Sequence, residues 1–328
     1  MTDVVRIGVL GAARIAPAAL IKPARNVERA EVVAIAARDR ARAEKFAAKH
    51  GVPQVIDDYA ALIASADVDA IYNPLPNGLH AQWTTAALEA GKHVLCEKPF
   101  TANAAEAEEV AAVAQRTGLV LMEAFHWRYH PLAQRMVDIV RSGELGTLRH
   151  LDVALCFPLP LFSDIRYRYD LAGGALMDAG CYTVHIARTL GGEEPEVVRA
   201  VPKLRTPDID RAMRADLRFP SGHTATITCS MWSSSLLRLH ATAIGDQGEM
   251  RVFNPTTPQL YHRLKVEAGG RKRVERMPRK PTYEYQLEAF CASVLDGAET
   301  LTPPSDSIAN MRVIDSIYRA AGMKVRGT

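Results

Sequence analysis

The sequence lacks any apolar run long enough to cross a membrane. Its longest apolar stretches fall well short of the roughly 18 residues that a spanning helix needs. The opening residues also lack the basic segment followed by a long apolar stretch that is typical of a secretion signal. We therefore expect a cytoplasmic protein with no membrane role.

Cysteine is scarce, and its spacing excludes two common kinds of site. The five cysteines are odd in number and widely spaced, and they form no Cys-x-x-Cys pair. Structural zinc sites and disulfide frameworks need cysteines at short, paired spacings. We expect no metal and no disulfides, and reduced thiols fit the cytosol. The cysteines are Cys96, Cys156, Cys181, Cys229 and Cys291.

An excess of one charge is also absent. The 40 basic residues nearly balance the 37 acidic ones, and the arginines are scattered instead of forming a stripe. Nucleic-acid-binding domains usually carry a clustered basic surface, so no nucleic-acid partner is expected. The chain has 328 residues, 48% of them hydrophobic, and shows no internal repeat, so two domains with two sizeable cores are the expected organisation.

The first 125 residues alternate short β-rich apolar runs with alanine-rich helical stretches. This alternation is typical of parallel strands joined by crossover helices, so we predict a doubly wound Rossmann-type α/β domain over residues 1–125. The clearest helix is predicted over 39–50, with Asp39 as its N-cap and Gly51 as its stop. The predicted strands cover residues 4–10, 31–37, 69–73, 93–97 and 119–124.

After Pro131 the pattern changes. A helix ends near Ser142, and longer strand-like runs follow at 148–157, 215–219 and 224–231. We predict a second α+β domain over 126–328, built on a mainly antiparallel sheet. Residues 305–321 have apolar side chains at helical spacing and are expected to form a helix that packs back against the first domain.

Residues 7–16 run from the end of a predicted strand into a predicted helix, which is the setting of a dinucleotide fingerprint. The glycine pattern is degenerate, because Ala13 stands where the second glycine would approach the pyrophosphate. A helix N-terminus offers N–H groups and a positive dipole end to phosphate oxygens. A plain strand-turn-helix is the alternative. The expected cofactor-binding residues here are Gly11, Ala13, Arg14 and Ile15.

The second strand ends at Arg38, followed by Asp39, where a Rossmann site contacts the adenosine ribose. A guanidinium suits a 2′-phosphate, so NADP(H) is favoured over NAD(H). NAD(H) stays possible, because Asp39 could turn towards the ribose. Arg38 could also be one more solvated charge.

Two further segments follow predicted strands at the edge where doubly wound sheets bind ligands. In residues 74–80, Pro76 helps make a rigid loop, and Asn77 and His80 could either cap the next helix or approach the nicotinamide ribose. In residues 96–99, Glu97 and Lys98 end a buried strand. The Lys98 ammonium would favour a nearby phenolate or alkoxide, which alcohol oxidation needs, but a Glu97–Lys98 surface pair is the alternative.

Residues 173–185 begin with two glycines and then have a helical pattern. Asp178, Tyr182 and His185 stand at i, i+4 and i+7, so on a helix a carboxylate, a phenol and an imidazole share one face. These three residues are candidate catalytic groups together with Lys98. The alternative is a polar cluster hydrogen-bonded within the core.

Together these motifs resemble the glucose-fructose oxidoreductase and inositol dehydrogenase family, Gfo/Idh/MocA. The resemblance spans nearly the whole chain, and its most specific parts are Glu97-Lys98-Pro99, the run from Gly173 to Tyr182, and Pro76-Asn77-x-x-His80. It implies an N-terminal Rossmann domain and a C-terminal domain with a large open sheet often used in oligomerisation. It also implies a homodimer or homotetramer, and a catalytic lysine at Lys98.

Within that family, inositol dehydrogenases usually have histidine where this chain has Tyr182. The tyrosine form is more similar to glucose-fructose oxidoreductase, xylose dehydrogenases and dimeric dihydrodiol dehydrogenases, which often use NADP. The resemblance thus implies hydride transfer between nicotinamide and a carbinol carbon of a sugar, cyclitol or diol. His185 is the second candidate for the proton-transfer role.

The residues expected to line a substrate are less clearly indicated. Alternating arginine and tyrosine at 166–169 more often mark an exposed strand or a subunit contact than a substrate site. An aromatic trans-diol is an alternative substrate, and a non-catalytic NAD(P)-sensing regulator is an alternative function, although a sensor needs no acid-base set. The candidate substrate-binding residues are Trp127, Arg128, Phe157, Arg166 and Tyr169.

Overall fold

A computed structural model describes residues 3–234 and 236–328. Contacts divide the chain into two compact units, the first formed by the chain up to Tyr129 with Pro281–Ile308, the second by His130–Lys280 with Ala309–Thr328. The α-helices are α1 Lys22–Ala24, α2 Arg40–His50, α3 Tyr59–Ala64, α4 His80–Glu89, α5 Ala104–Thr117, α6 Pro131–Arg141, α7 Cys181–Gly191, α8 Thr282–Asp296 and α9 Pro304–Ala320. Shorter helical turns are π-helical at Pro17–Ile21 and Leu176–Gly180, and 3₁₀ at Asn77–Leu79, His126–Tyr129, Ile165–Tyr167 and Tyr169–Leu171.

The first unit contains a six-stranded parallel sheet in the order β3-β2-β1-β4-β5-β6. This is the strand order of a dinucleotide-binding Rossmann fold, so the predicted doubly wound sheet is confirmed. All five predicted strands are present, and β3 is an additional short strand at the sheet edge. The strands are β1 Val5–Leu10, β2 Ala30–Ala36, β3 Gln54–Ile56, β4 Ala70–Asn73, β5 His93–Cys96 and β6 Leu121–Glu123.

The core of the first unit is completed by a segment from late in the chain. Leu287 and Phe290 of α8 are fully buried in one hydrophobic cluster with Ile7 and Val9 of β1. Burying a side chain of this size stabilises the fold by about 1.5–3 kcal/mol. The predicted domain boundary after residue 125 placed α8 in the second domain. Patterns of strands and helices along a sequence do not show that a late helix returns to the core of an earlier domain.

Helix α2 shows how the local sequence sets an element beside the sheet. The Asp39 carboxylate accepts a hydrogen bond from the backbone N–H of Arg42 at 3.1 Å, which caps the helix as predicted. Gly51 ends it in the left-handed conformation, with its N–H donated to the carbonyl of Ala47.

The second unit contains an eight-stranded sheet in the order β14-β13-β12-β11-β7-β10-β9-β8. Every neighbouring pair is antiparallel except β7 and β10, so the predicted mainly antiparallel sheet is confirmed. From Ala309 onward, α9 groups with this unit, and its Tyr318 is fully buried. The strands are β7 Leu148–Cys156, β8 Glu196–Thr206, β9 Ile209–Arg218, β10 Thr224–Ser230, β11 Arg238–Gly245, β12 Gly248–Phe253, β13 Arg263–Ala268 and β14 Arg271–Glu275.

Within the described ranges, none of the helices has the length and apolar character that crossing a membrane requires. The five cysteines are free thiols, and all are buried. Among the same residues, no cluster of three or more histidine, cysteine, aspartate or glutamate side chains is arranged to hold a metal ion.

Candidate active site

The dinucleotide loop leaves the sheet at the carboxyl end of β1. Gly11 has φ +85°, and its N–H donates to the carbonyl of Ala36 at the end of β2 at 2.7 Å. A Cβ on Gly11 would lie 3.0 Å from the Leu75 side chain, so both the turn and its packing require glycine. Ala13 is half-buried, and Arg14 and Ile15 are exposed. The loop is therefore open at the edge where a dinucleotide binds.

The helices that follow both glycine-containing candidate motifs begin as π-helical turns. Pro17–Ile21 follows the dinucleotide loop, and Leu176–Gly180 carries Asp178. The sequence predicted ordinary α-helical starts, because side-chain periodicity does not resolve a single widened turn. Such turns are rare in proteins and occur frequently at functional sites.

A basic cleft lies beside the dinucleotide loop. Arg38 is exposed at the end of β2, and the Arg42 guanidinium donates to the carbonyl of Ala12 at 3.0 Å. The Asp39 carboxylate serves as the cap of α2, as described above. Sequence reasoning missed Arg42 and Lys45, although basic residues recur along α2 at spacings of three and four. The cleft is lined by Ala12, Arg14, Pro17, Arg42, Lys45, Phe46, Lys49 and His50.

His80 joins two loops at the carboxyl edge of the first sheet. Its Nε2 lies 2.7 Å from the Leu75 carbonyl and its Nδ1 lies 2.9 Å from the Pro99 carbonyl. Burial lowers the pKa of His80 to about 4, while the contacts with the two carbonyl groups act in the opposite direction. Pro76 and Asn77 are half-buried in the loop between them. The structure thus gives His80 a loop-fastening position, while Asn77 begins the 3₁₀ turn Asn77–Leu79.

Lys98 follows a firmly anchored glutamate. The Tyr72 hydroxyl donates to Glu97 Oε1 at 2.7 Å inside the unit, and the Glu97 backbone N–H donates to the Asn73 carbonyl at 3.0 Å. Glu97 is buried and Lys98 is half-buried, and the Lys98–Pro99 peptide bond is cis. Glu97 thus points inward to Tyr72, and its Oε2 accepts a hydrogen bond from the backbone N–H of Lys98 at 3.3 Å.

Two rings in the region of Lys98, the buried His126 and the half-buried Tyr283, were missed by the sequence reasoning. His126 Nδ1 lies 2.8 Å from Thr282 Oγ1, and its ring centroid lies 4.1 Å from that of Tyr283. Burial, and secondly the charge of Lys98, lowers the pKa of His126 to about 3. Burial, and secondly the charge of Glu97, raises the pKa of Tyr283. Lys98 thus lies next to the Glu97 carboxylate, and its own charge reaches the buried His126 imidazole.

Tyr72 could have been found from the sequence, since a tyrosine in a strand predicted to be buried needs a partner for its hydroxyl. Tyr283 could not have been found in that way. It is separated from Lys98 by most of the chain, and only the return of α8 to the first unit brings it there.

Asp178, Tyr182 and His185 lie on one continuous helical run, formed by the turn Leu176–Gly180 and α7. Asp178 Oδ1 lies 3.8 Å from Arg166 Nε, and the same nitrogen lies 3.5 Å from Asp164 Oδ1. Asp178 is partly exposed, whereas Tyr182 and His185 are buried. The carboxylate is therefore the accessible member of the three, and an arginine faces it.

The candidate substrate residues fall into different environments. Trp127 is fully buried in the turn His126–Tyr129, Arg128 beside it is half-buried, and Phe157 is half-buried just after β7. Arg166 faces the two carboxylates described above. The Tyr169 hydroxyl donates to the carbonyls of Val325 at 3.2 Å and Thr328 at 3.1 Å, so it contacts the chain itself.

Comparison with known proteins agrees with this architecture. Residues 5–125 match the Gfo/Idh/MocA oxidoreductase family with its NAD-binding Rossmann fold, and residues 133–251 match the Gfo/Idh/MocA C-terminal domain. The chain belongs to this family, and the family resemblance inferred from the motifs is confirmed. It is accordingly an oxidoreductase.

The relatives act on sugars and diols. The chain is 37% identical over 315 residues to D-xylose 1-dehydrogenase (NADP(+)) 2 of Haloferax volcanii, which covers 96% of each protein. It is 36% identical to trans-1,2-dihydrobenzene-1,2-diol dehydrogenase of Oryctolagus cuniculus, over 69% of this chain and 68% of that one. It also resembles the crystal structure of KijD10, a 3-ketoreductase from Actinomadura kijaniata in complex with NADP and TDP-benzene. The TM-score is 0.90 at 32% identity, covering 97% of this chain and 98% of KijD10.

Proposed function

We propose that the protein is an NADP(H)-dependent oxidoreductase that transfers a hydride between nicotinamide and a carbinol or carbonyl carbon of a small sugar or related polyol. The observation that carries this proposal is the setting of Lys98. It stands at the carboxyl edge of a Rossmann sheet, beside a glutamate fixed by Tyr72 and beside a neutral imidazole. Family membership supplies the reaction class, and the names of the relatives support a sugar or diol substrate.

The residues present fit a dinucleotide. Gly11 makes the tight turn after β1, and the loop residues beyond it are open to solvent. Gly11, Ala13, Arg14 and Ile15 would contact the pyrophosphate, and Asn77 and Lys98 would reach the nicotinamide half. We assign residues 1–125 to cofactor binding and 126–328 mainly to substrate binding.

The preference for NADP(H) is argued from the use of Asp39. An NAD-specific site usually places an acid against the ribose hydroxyls, but here the Asp39 carboxylate caps α2. Arg38 at the strand end and Arg42 in the basic cleft offer guanidinium groups to a 2′-phosphate. The xylose dehydrogenase relative and the KijD10 complex, both named with NADP, support the same preference.

In the proposed reaction, the bound cofactor supplies or accepts the hydride. Lys98 holds its ammonium against the reacting oxygen of the substrate, where it stabilises developing negative charge. Tyr182 takes or gives the hydroxyl proton, and Asp178 orients the substrate through a hydrogen bond. His185 is the second candidate for proton transfer, and it is the more deeply buried of the two, at 1% exposure against 7% for Tyr182.

A polyol is favoured by the polar groups around Asp178. The Asp178 carboxylate and the Arg166 guanidinium, both partly exposed, provide hydrogen-bonding partners for several hydroxyls. Phe157, Arg128 and Trp127 are assigned to the substrate side only as flanking or supporting residues.

An aromatic trans-diol is the second candidate substrate, because an aromatic cluster lies on the same loop as Arg166. Phe162 is exposed, and its ring centroid lies 5.5 Å from that of Tyr167 and 6.3 Å from that of Trp232. Such a surface suits a flat apolar group. The dihydrodiol dehydrogenase relative supports this alternative.

We also propose a cytoplasmic homo-oligomer, either a dimer or a tetramer, formed through the second sheet. Buried free thiols fit a reducing compartment. The edge strand β8 exposes Val198, Val201 and Leu204, an apolar surface that a second copy would cover. Light scattering on the purified protein measures the assembly directly, and a monomer at micromolar concentration would contradict it.

A spectrophotometric screen tests the proposed function. Reduction of NADP and NAD is followed at 340 nm with aldoses, inositols and trans-diols, and the reverse reaction with the corresponding carbonyl compounds. We expect turnover with NADP and an aldose or related polyol. Turnover confined to aromatic diols would select the second candidate. Tight NADPH binding with no turnover across the panel would instead indicate a nucleotide-sensing regulator.

A further inference from the structure

Arg326 and Asp210 form an ion pair inside the second unit, with no exposed surface on either side chain. Arg326 Nη2 lies 2.8 Å from Asp210 Oδ1. Charged side chains are almost never buried so completely unless they are paired. Removing both charges from water is costly, and such pairs often add little to stability compared with apolar packing. We therefore expect the pair to fix the position of the neighbouring backbone more than to add stability.

The remaining polar atoms of the pair bind one short segment from two sides. Arg326 Nε donates to the carbonyl of Gly173 at 2.7 Å, and Asp210 Oδ2 accepts from the backbone N–H of Leu176 at 2.7 Å. The Tyr318 hydroxyl donates to Asp210 Oδ1 at 3.1 Å. Residues 173–176 are thus held at both ends by side chains that are themselves fixed by burial.

Gly174, between these two ends, is packed directly against the pair. A Cβ on Gly174 would lie 2.3 Å from Asp210 Oδ1 and 3.0 Å from Arg326 Nη2, and its φ of +135° disfavours other residues. A methyl group there would displace the pair itself. The glycine and the ion pair therefore require each other.

The held segment leads directly into the candidate catalytic run. The Gly174 carbonyl accepts from the backbone N–H of Asp178 at 3.0 Å, so the held segment is bonded directly to the turn Leu176–Gly180. The Gly174 N–H donates to the carbonyl of Arg166 at 2.8 Å, so the residue that faces Asp178 is tied to the same segment. A displacement of residues 173–176 would move both Asp178 and its guanidinium neighbour.

A tyrosine outside the catalytic set fastens the segment that carries Arg326. The Tyr169 hydroxyl donates to the carbonyls of Val325 and Thr328, on either side of Arg326. The Arg326 guanidinium carbon lies 5.1 Å from the centroid of the Tyr169 ring and 4.1 Å from that of Tyr318. The guanidinium is thus held by two aromatic rings in addition to its hydrogen bonds.

From these contacts we propose that Arg326, through Asp210, is a positioning residue that sets the place of Asp178 and of the helix start before substrate binds. It touches no reacting atom, and its role in turnover rests on the proposed function. Its effect on the local structure is independent of the proposed function. In this proposal Tyr169 acts through residues 325–328, which its hydroxyl contacts, and needs no contact with substrate.

The test combines hydrogen–deuterium exchange of peptides covering 173–182 with steady-state kinetics. Arg326→Lys keeps the positive charge but loses the planar guanidinium, whose Nε and Nη2 contact Gly173 and Asp210. We expect at least fivefold faster exchange in 173–182 and a roughly tenfold lower kcat, with the KM for NADP unchanged. Tyr169→Phe leaves the ion pair intact, so it is expected to fold normally with smaller changes of the same sign, and it carries the test if Arg326→Lys folds poorly.

Arg135→Lys is the matched control, because Arg135 makes a two-bond pair with Glu275 in the same unit without contacting residues 173–182. That variant should leave exchange in 173–182 and kcat unchanged. Wild-type exchange rates in folded Arg326→Lys and Tyr169→Phe would overturn the proposal. Absence of turnover in the wild-type protein would instead contradict the proposed function, and the exchange comparison would still decide the positioning role.

Discussion

The hydroxyl of Tyr72 donates a hydrogen bond to Glu97 at 2.7 Å, and both groups are buried in the first unit. Glu97 immediately precedes Lys98, so this bond fixes the strand end from which the proposed catalytic ammonium extends. A hydrogen bond to a buried carboxylate is worth more than one between neutral groups, and breaking it leaves the acceptor short of a partner.

Replacement of Tyr72 tests that relationship. Tyr72→Phe keeps the ring but removes the donor, and we expect it to lower the free energy of unfolding by about 1–3 kcal/mol. We also expect kcat to fall, because Lys98 loses its fixed neighbour. Urea unfolding and steady-state rates measure both effects, with Tyr261→Phe as an exposed control. Unchanged stability and rate would show that the bond has no such role.

Lys98 is expected to act on the reaction and not on cofactor affinity. Lys98→Ala should reduce kcat by about 10²-fold or more, the scale of losing one electrostatic stabiliser, with little change in the dissociation constant for NADPH. Stopped-flow turnover and fluorescence titration separate the two quantities. Lys272→Ala, at an exposed position of β14, is the control. A Lys98 variant with near-normal turnover would remove the lysine from the mechanism.

The basic cleft beside the dinucleotide loop is expected to select the cofactor. Loss of a charged hydrogen bond to the 2′-phosphate costs about 1.5–3 kcal/mol, so Arg38→Ala and Arg42→Ala should each raise the KM for NADP about tenfold or more. The KM for NAD should change little, since NAD lacks that phosphate. Parallel changes for both cofactors would mean that these arginines hold the loop and do not recognise the phosphate.

Stability of the first unit is expected to fall on mild acidification. The pKa values of His80 and His126 are lowered by burial to about 4 and about 3, against 6.5 for an exposed histidine. Between pH 6.5 and 4 the unfolded chain binds protons that the folded unit does not, so stability present at pH 7 is lost as the pH falls. Each histidine contributes a slope of about 1.4 kcal/mol per pH unit.

Urea unfolding followed by tryptophan fluorescence measures this slope, since Trp83 and Trp127 both belong to the first unit. His126→Asn removes one of the two groups, so its free energy of unfolding should depend less steeply on pH by the slope of one histidine. Identical slopes for the variant and the wild type would contradict the assignment of His126 as a neutral buried ring.

The sequence was sufficient for the sheet, the dinucleotide loop and the family, because these depend on local patterns. The strand ending at Leu10 and the cap at Asp39 could be predicted from neighbouring residues, and the structure has both. What escaped prediction depends on contacts between distant residues. Tyr283 reaches the Lys98 region, and Arg326 reaches Gly173, only through the tertiary fold. The widened turn at Leu176–Gly180 escaped because it spans only five residues, too few for a pattern of apolar positions to distinguish from an α-helix.

The structure also adds contacts that the sequence could not show for some of the candidate site residues. His80 was predicted as a helix cap or a cofactor contact, and its ring nitrogens instead lie against two carbonyl groups. Tyr169 was a candidate substrate residue in a run that more often marks an exposed strand or a subunit contact, and its hydroxyl contacts Val325 and Thr328. A residue type in a motif indicates which chemistry is available, but only the surrounding contacts show which partner uses it.

The return of α8 to the core around β1 has a consequence for synthesis on the ribosome. Leu287 and Phe290 emerge only after all fourteen strands of the described ranges, so the Rossmann sheet must remain incompletely covered while the second sheet is being made. Domains generally fold as units during synthesis, in chain order. Here that order is interrupted, and the nascent dinucleotide-binding sheet would offer an apolar surface to chaperones until translation has passed residue 290.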